Sequence, residues 1–282
     1  MKRARAKHAA RSPHRGACLF AGLFILFGAS ILLSGCHDKQ YLPSSCTGGV
    51  CDGESGVKQR RILAKALGRH KKISSLFQSH SVSPQMIDSL NLKADSVVAD
   101  IGCGTGAFEV LLLERQTPFK KLYAVDINES GLSLLRDILK ASNLPGRERM
   151  ELIHSTVEDT MLPAGELDVV FLLNTPFFVP TKDEVELNMM TTAPRMCLAS
   201  IRRALKPGGV FHVFDWKANE DPVDRAVRMR WALEQCGFRL KSSETIKLGD
   251  CPHNHFVLKA DGKVSDIGRV QPPTNSPESP HQ

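Results

Sequence analysis

Val97-Val98-Ala99-Asp100-Ile101-Gly102-Cys103-Gly104-Thr105-Gly106-Ala107-Phe108 runs from an apolar stretch through an acid into three alternating glycines. The apolar stretch reads as a buried strand, and the glycines as the sharp turn into a following helix. Glycine has no Cβ, so such a turn lets a ligand come close to the backbone. The loop therefore reads as a cofactor loop, set against a turn that only packs strand on helix. Gly102, Gly104 and Ala107 also satisfy the G-x-G-x-x-G/A dinucleotide pattern, so the loop alone leaves the nucleotide class open. Asp100 narrows it. A carboxylate ahead of the loop repels a pyrophosphate but suits a cofactor that carries an ammonium and a sulfonium and no phosphate.

Outward from this loop, short apolar runs alternate with segments of helical period, as expected of a parallel sheet flanked by helices. The expected strands are Ser96–Ile101, Lys121–Ile127, Met150–Ser155, Leu167–Leu173, Val210–Trp216, Glu244–Leu248 and His255–Ala260. The expected helices are Phe108–Glu114, Ser130–Ser142, Pro194–Leu205 and Val223–Cys236, with an amphipathic basic helix near Gln59–Phe77. No helix separates the last two strands, so they pair as a hairpin and one strand is antiparallel.

Twenty residues beyond Gly106, the second strand ends in Asp126, whose carboxylate can accept both ribose hydroxyls. Glu158 and Asp159 follow the third strand. Alone they would read as a solvated turn, but the carboxyl end of a strand beside the first is where ligands sit.

Residues from about 80 to 260 resemble class I S-adenosylmethionine-dependent methyltransferases. The resemblance rests on the acid and glycine loop, the acid after the second strand, and the acidic turn running through Leu162-Pro163 to Asp168. It also rests on Leu205-Lys206-Pro207-Gly208-Gly209 ahead of the fifth strand, all in order. It implies an α/β, Rossmann-like sheet of seven mostly parallel strands in the order 3-2-1-4-5-7-6, one antiparallel, with helices on both faces. It implies S-adenosylmethionine as cofactor. Asp100 would lie near the methionine amino group, with Gly102, Gly104 and Gly106 passing under the methionine and ribose, and Cys103 and Thr105 offering backbone only. Asp126 would take the ribose hydroxyls, Ile127 would pack on adenine, and Glu158 or Asp159 would accept from the adenine amino group.

Methyl transfer needs alignment of nucleophile and methyl carbon, which can supply roughly 7–11 kcal/mol without a dedicated catalytic side chain. The substrate is therefore less legible than the cofactor. Asn174-Thr175-Pro176-Phe177-Phe178 leaves the fourth strand where substrate should meet the donor. It resembles the Asn-Pro-Pro-Tyr/Phe motif of methyltransferases acting on planar nitrogens, with Thr175 in place of the first proline. The other reading is a strand exit covered by two core phenylalanines. Asp215 and Trp216 either line the substrate side or serve as a helix cap and a packed ring. His154, His212, His253 and His255 fall on different strands and turns with no i, i+4 pair, and read as satisfied or exposed. The eight cysteines show no zinc spacing, and no metal is expected.

Lys2, Arg3, Arg5, Lys7, Arg11 and Arg15 supply six of the seven net positive charges. The remainder of the chain is thus nearly neutral, with no electrostatic footprint for nucleic acid. A charge-free run from Ala17 to Leu33 follows, then Leu33-Ser34-Gly35-Cys36, which resembles the lipobox of bacterial lipoproteins. That resemblance implies a signal over 1–35, lipidation of Cys36, and a tethered protein in the cell envelope facing the periplasm or the cell surface. Residues 36–53 read as a tether in which Cys46 and Cys51 either pair or stay free. Residues 54–261 form the methyltransferase-like domain, and 262–282, with four prolines, a disordered tail.

The expected function is methyl transfer from S-adenosylmethionine to an unidentified small-molecule or protein substrate by an exported, lipid-anchored enzyme. The alternatives are a lipoprotein of the same fold that binds S-adenosylmethionine or a nucleoside without catalysis, and one that serves only as a scaffold.

Overall fold

The computed structural model describes Ser74 and residues 82–216, 221–248 and 251–261. The signal, tether and tail, and the basic segment apart from Ser74, lie outside the described residues. In chain order the elements are α1 (Pro84–Ser89), β1 (Val97–Ile101), α2 (Ala107–Glu114), β2 (Lys121–Asp126), α3 (Glu129–Ala141), β3 (Met150–His154) and β4 (Leu167–Leu173). They continue with α4 (Lys182–Glu186), α5 (Thr192–Ala204), β5 (Leu205–Trp216), α6 (Pro222–Gln235), β6 (Arg239–Leu248) and β7 (Cys251–Lys259).

The strands form one sheet in the order β3-β2-β1-β4-β5-β7-β6. All neighbours are parallel except that β7 runs antiparallel to both β5 and β6. This is the expected architecture, hairpin included. β1 is central and buried along its whole length, as a parallel strand covered on both faces must be. Its alternation sorts the core. Val97, Ala99 and Ile101 pack with Leu198 and Ile201 of α5 and Met229 and Leu233 of α6. Val98 packs on the other face with Leu112 of α2 and Leu132 and Leu135 of α3. Asp100 follows Val98 in register, so it shares the α2 face.

Each helix start is set by local chemistry. Asn128 accepts from Ser130 N and Gly131 N at the start of α3, and Asp221 accepts from Val223 N ahead of α6, where Pro222 occupies the first turn. Thr181 and Glu184 form a reciprocal capping box on α4.

Three strands are longer than their sequence suggested. β5 begins at Leu205 rather than Val210, because Leu205 pairs with Leu167 and the register then shifts before Val169 meets Val210. β6 begins at Arg239 and β7 at Cys251, the latter across Pro252, His253 and Asn254. Two buried histidines and the exposed Glu244 link β5, β7 and β6. His212 Nδ1 and His255 Nε2 are 3.0 Å apart, and His255 Nδ1 lies 3.3 Å from Glu244 Oε1. The His255 ring stacks on Phe214 at 4.3 Å between centroids.

Candidate functional site

β1, β2, β3 and β4 run parallel, so their carboxyl ends share one edge of the sheet, where the glycine loop leaves β1. Gly102 N and Cys103 N both donate to Val125 O, at 2.8 and 3.1 Å, so the chain leaves β1 and folds at once over the end of β2. Gly104 N then donates to Asp126 Oδ2 at 2.7 Å, while Asn128 N donates to Asp126 Oδ1 at 2.8 Å. Each carboxylate oxygen retains a lone pair for a further donor. The loop ends at Gly106, whose φ of +87° starts α2. A Cβ there would stand 2.2 Å from Leu135 Cδ1, which explains the glycine without reference to a ligand. Gly102 approaches the other wall, since its Cβ would lie 2.9 Å from Thr175 Oγ1 at the exit of β4.

Beneath the loop lies a carboxyl pair. Asp100 is 3% exposed and Glu109, on the first turn of α2, is 0% exposed. With both ionised, Asp100 Oδ1 and the two Glu109 oxygens have no hydrogen-bond donor. One proton on Asp100 turns the contact into a hydrogen bond to Glu109. Burial, then the neighbouring Glu109 charge, pushes Asp100 well above the usual carboxylate range, and burial pushes Glu109 up to about 7. The Cys103 thiol is likewise pushed up, first by burial and then by Glu109 and Asp100. Sequence reasoning missed Glu109. The sequence offers only an acid among Ala107, Phe108, Val110 and Leu111 on the turn after the glycines, which by itself reads as a solvated helix residue.

Past β2, Ile127 is 57% exposed, and Val157 and Met161 are exposed as well, leaving apolar side chains on the solvent side of the loops after β2 and β3. The structure separates the two candidate acids there. Asp159 is clasped by Arg203 Nη2 at 2.9 and 3.0 Å and accepts from Met161 N at 2.8 Å. The Arg203 guanidinium and the Met161 amide outweigh burial and hold the Asp159 carboxyl below its usual range. Glu158 projects into solvent. Asp168 is structural. At the start of β4, away from the loop, it accepts from Val97 N at 2.9 Å and from Lys206 Nζ at 2.8 Å.

On the acceptor side, Asn174 takes a φ of +53° where β4 ends, and its N–H donates to Phe214 O at 2.8 Å. Phe178 is core, but Phe177 is 42% exposed and meets it edge-on at 5.2 Å, so the exit is not covered by two core rings. Asp215 neither lines this side nor caps a helix. It forms a two-pronged ion pair with Arg225 at 2.7 and 2.8 Å, and Asp221 is the cap. His154 is exposed and bonds Ile127 O at 3.1 Å. Among the described residues, no group of three or more His, Cys, Asp or Glu is arranged for a metal.

Residues 99–213 match the family described as a methyltransferase domain. Among curated proteins, the chain is 26% identical over 155 residues to the tRNA1(Val) (adenine(37)-N6)-methyltransferase of Dyadobacter fermentans, covering 53% of this chain and 60% of that one. It is 27% identical over 169 residues to a probable protein arginine N-methyltransferase 6 of Arabidopsis thaliana, covering 53% and 35%. The chain thus spans less than two thirds of either relative. Among solved structures, the [4+2]-cyclase SpnF is similar with a TM-score of 0.50 at 13% identity, over 72% of this chain and 93% of that one. The sheet order is the one expected of the class I methyltransferase fold, and the stretch that matches the methyltransferase-domain family runs from β1 into β5.

Proposed function

We propose that the chain is an S-adenosylmethionine-dependent methyltransferase. The observation that carries this reading is the buried Asp100 at the carboxyl end of β1, with its unpaired Oδ1 beneath a loop of glycines. A buried carboxyl without a donor calls for a cationic partner, and the donor's ammonium is one. S-adenosylmethionine, when bound, supplies a methyl group made electrophilic by its sulfonium. Asp100 holds the ammonium; Gly102, Gly104 and Gly106 admit the methionine and ribose; Cys103 and Thr105 contribute backbone. Asp126 accepts from the ribose hydroxyls, Ile127 packs on adenine, and Glu158 accepts from the adenine amino group. The chain's catalytic contribution is to orient an acceptor at the β4 exit and keep water from it. Titrating S-adenosylmethionine into the purified full chain tests this. Micromolar binding supports it, and no binding by the folded chain overturns it.

For the acceptor, a planar nitrogen is the reading favoured by Asn174, Pro176 and the exposed Phe177, an amide and a ring at the β4 exit. Both curated relatives described above are named for nitrogen methylation of their own substrates. A binder that transfers no methyl group is the second reading, because a shared fold does not fix the chemistry carried out on it. Transfer of labelled methyl groups to amine acceptors separates the two.

The N-terminal segment places this domain, in our reading, on a bacterial envelope membrane through acylated Cys36 and facing away from the cytoplasm. Radiolabelled palmitate incorporated into the wild-type chain and lost in Cys36→Ala supports that placement. Equal labelling of both chains overturns it.

A further inference from the structure

We propose that Glu109 is a second carboxyl of the ammonium subsite, and that Asp100 and Glu109 share a proton which the arriving cofactor displaces into solvent. The inference rests on the S-adenosylmethionine reading above. It names a residue that the glycine loop pattern does not contain, since Glu109 lies on α2 beyond the last glycine.

Three observations carry it. Asp100 sits on the β1 face that α2 covers, and the first turn of α2 brings Glu109 against it. Both side chains are almost fully enclosed, so neither reaches water to discharge its carboxyl cheaply. Three of their four oxygens lack any donor from the protein when both are ionised. Two buried carboxyls in contact cannot both carry charge unless a cation joins them, and one proton is the smallest such cation.

The charged neighbours acting on the pair make this stricter. The Asp126 carboxylate, at the end of β2, opposes ionisation of both. Cys103, from the loop, stays a neutral thiol because the same acids oppose its ionisation. An ammonium brought into this pocket satisfies the orphaned oxygens and supplies the missing positive charge. The O–H bond on Asp100 then breaks, and its proton leaves to the buffer as the ammonium's N–H groups take its place. No other bond changes.

Cofactor binding is therefore linked to pH. Where one proton is displaced, affinity rises up to about tenfold per pH unit as pH increases toward the ionisation of the pair. The amino acid portion of the ligand is the part that is sensed, and the adenosine portion is not.

The test is calorimetric titration of the full chain at pH 6.5 in two buffers of different ionisation enthalpy, which counts protons exchanged per ligand. At that pH a free α-amino group is still charged, so the ligand itself contributes little. S-adenosylmethionine should release about one proton per site. Methylthioadenosine, which lacks the amino acid chain, should bind and release close to none. Glu109→Gln should still bind S-adenosylmethionine, because the amide now donates to an ionised Asp100, but with proton release and pH slope largely lost. S-adenosylmethionine bound by wild type without proton release overturns this inference and leaves the methyltransferase reading standing. So does equal release by methylthioadenosine, or unchanged release in Glu109→Gln. A folded chain that binds no S-adenosylmethionine overturns both.

Discussion

Gly104 and Asp126 are joined by a 2.7 Å hydrogen bond from a loop amide to a carboxylate. The acid assigned to the ribose is therefore also a fastener that holds the glycine loop down on β2. Asp126→Ala removes both roles. It should weaken S-adenosylmethionine binding by at least about tenfold, equivalent to about 1.4 kcal/mol, since a hydrogen bond to a charged group contributes about 1.5–3 kcal/mol. Calorimetry measures the affinity, and amide exchange of residues 102–106 should accelerate in the unliganded variant if the fastening is real.

Asp215 and Arg225 form a buried pair across the start of α6, with side-chain exposures of 2% and 9%. Removing Asp215 takes a two-pronged, charge-assisted contact from the buried Arg225 guanidinium. Asp215→Ala should cost about 3–5 kcal/mol of stability by urea denaturation. The double replacement Asp215→Leu with Arg225→Met should recover most of it. A cost below about 1 kcal/mol for the single change would show the pair to be no more than a surface bridge.

Acid should unfold the β5–β7 region through its histidines. Burial pushes His212 down to about 3 and lowers His255, whereas in the unfolded chain both titrate near 6.5. The unfolded state thus binds more protons below about pH 6.5, so stability is full above that pH and falls from there toward 3. The Asp100 and Glu109 pair has the opposite sign. The shared proton stays on the raised pair in the unliganded fold, so its contribution is full below about pH 4, where the unfolded carboxyls are protonated too, and is lost as pH rises from there through about 7. Melting temperature against pH should therefore peak between the two effects. His212→Phe should flatten the acid limb, and Glu109→Gln the alkaline limb.

Gly106→Ala should be tolerated poorly even without cofactor. The residue sits at a φ of +87°, and the added carbon meets Leu135 at 2.2 Å in the core. A strained backbone of this kind costs about 1–3 kcal/mol. Thermal denaturation should show the loss, and adding Leu135→Ala should not restore stability, because the backbone strain remains and a cavity is added.

The parallel half of the sheet was legible because burial on both faces forces continuous apolar runs, as in Val97–Ile101 and Leu167–Leu173. The edge was not. β6 exposes most residues from Arg239 to Glu244, so no apolar alternation marks where it begins. β7 hides its first half behind Pro252, His253 and Asn254, residues that read as a turn until the hairpin partner is known. Within the site, Asp100, Asp126 and the glycines were visible from order and spacing alone. Glu109 was not, because a single acid in a helix is ordinarily a solvated one and only the tertiary packing of α2 on β1 encloses it. That Asp159 is paired while Glu158 stands exposed likewise depends on Arg203, which lies 44 residues from Asp159 in sequence.

The clasp of Asp159 by Arg203 does not act alone. Thr160 N donates to Ser200 Oγ at 3.0 Å, Thr156 Oγ1 accepts from Asp159 N at 2.9 Å, and Ser155 N donates to Asp126 O at 2.9 Å. The segment carrying Val157, Glu158 and Met161 is thereby riveted to α5 on one side and to the end of β2 on the other. A nucleoside arriving here meets a mould that is already cast, and little ordering entropy remains to be lost at that wall. Adenine recognition should accordingly proceed without loop rearrangement.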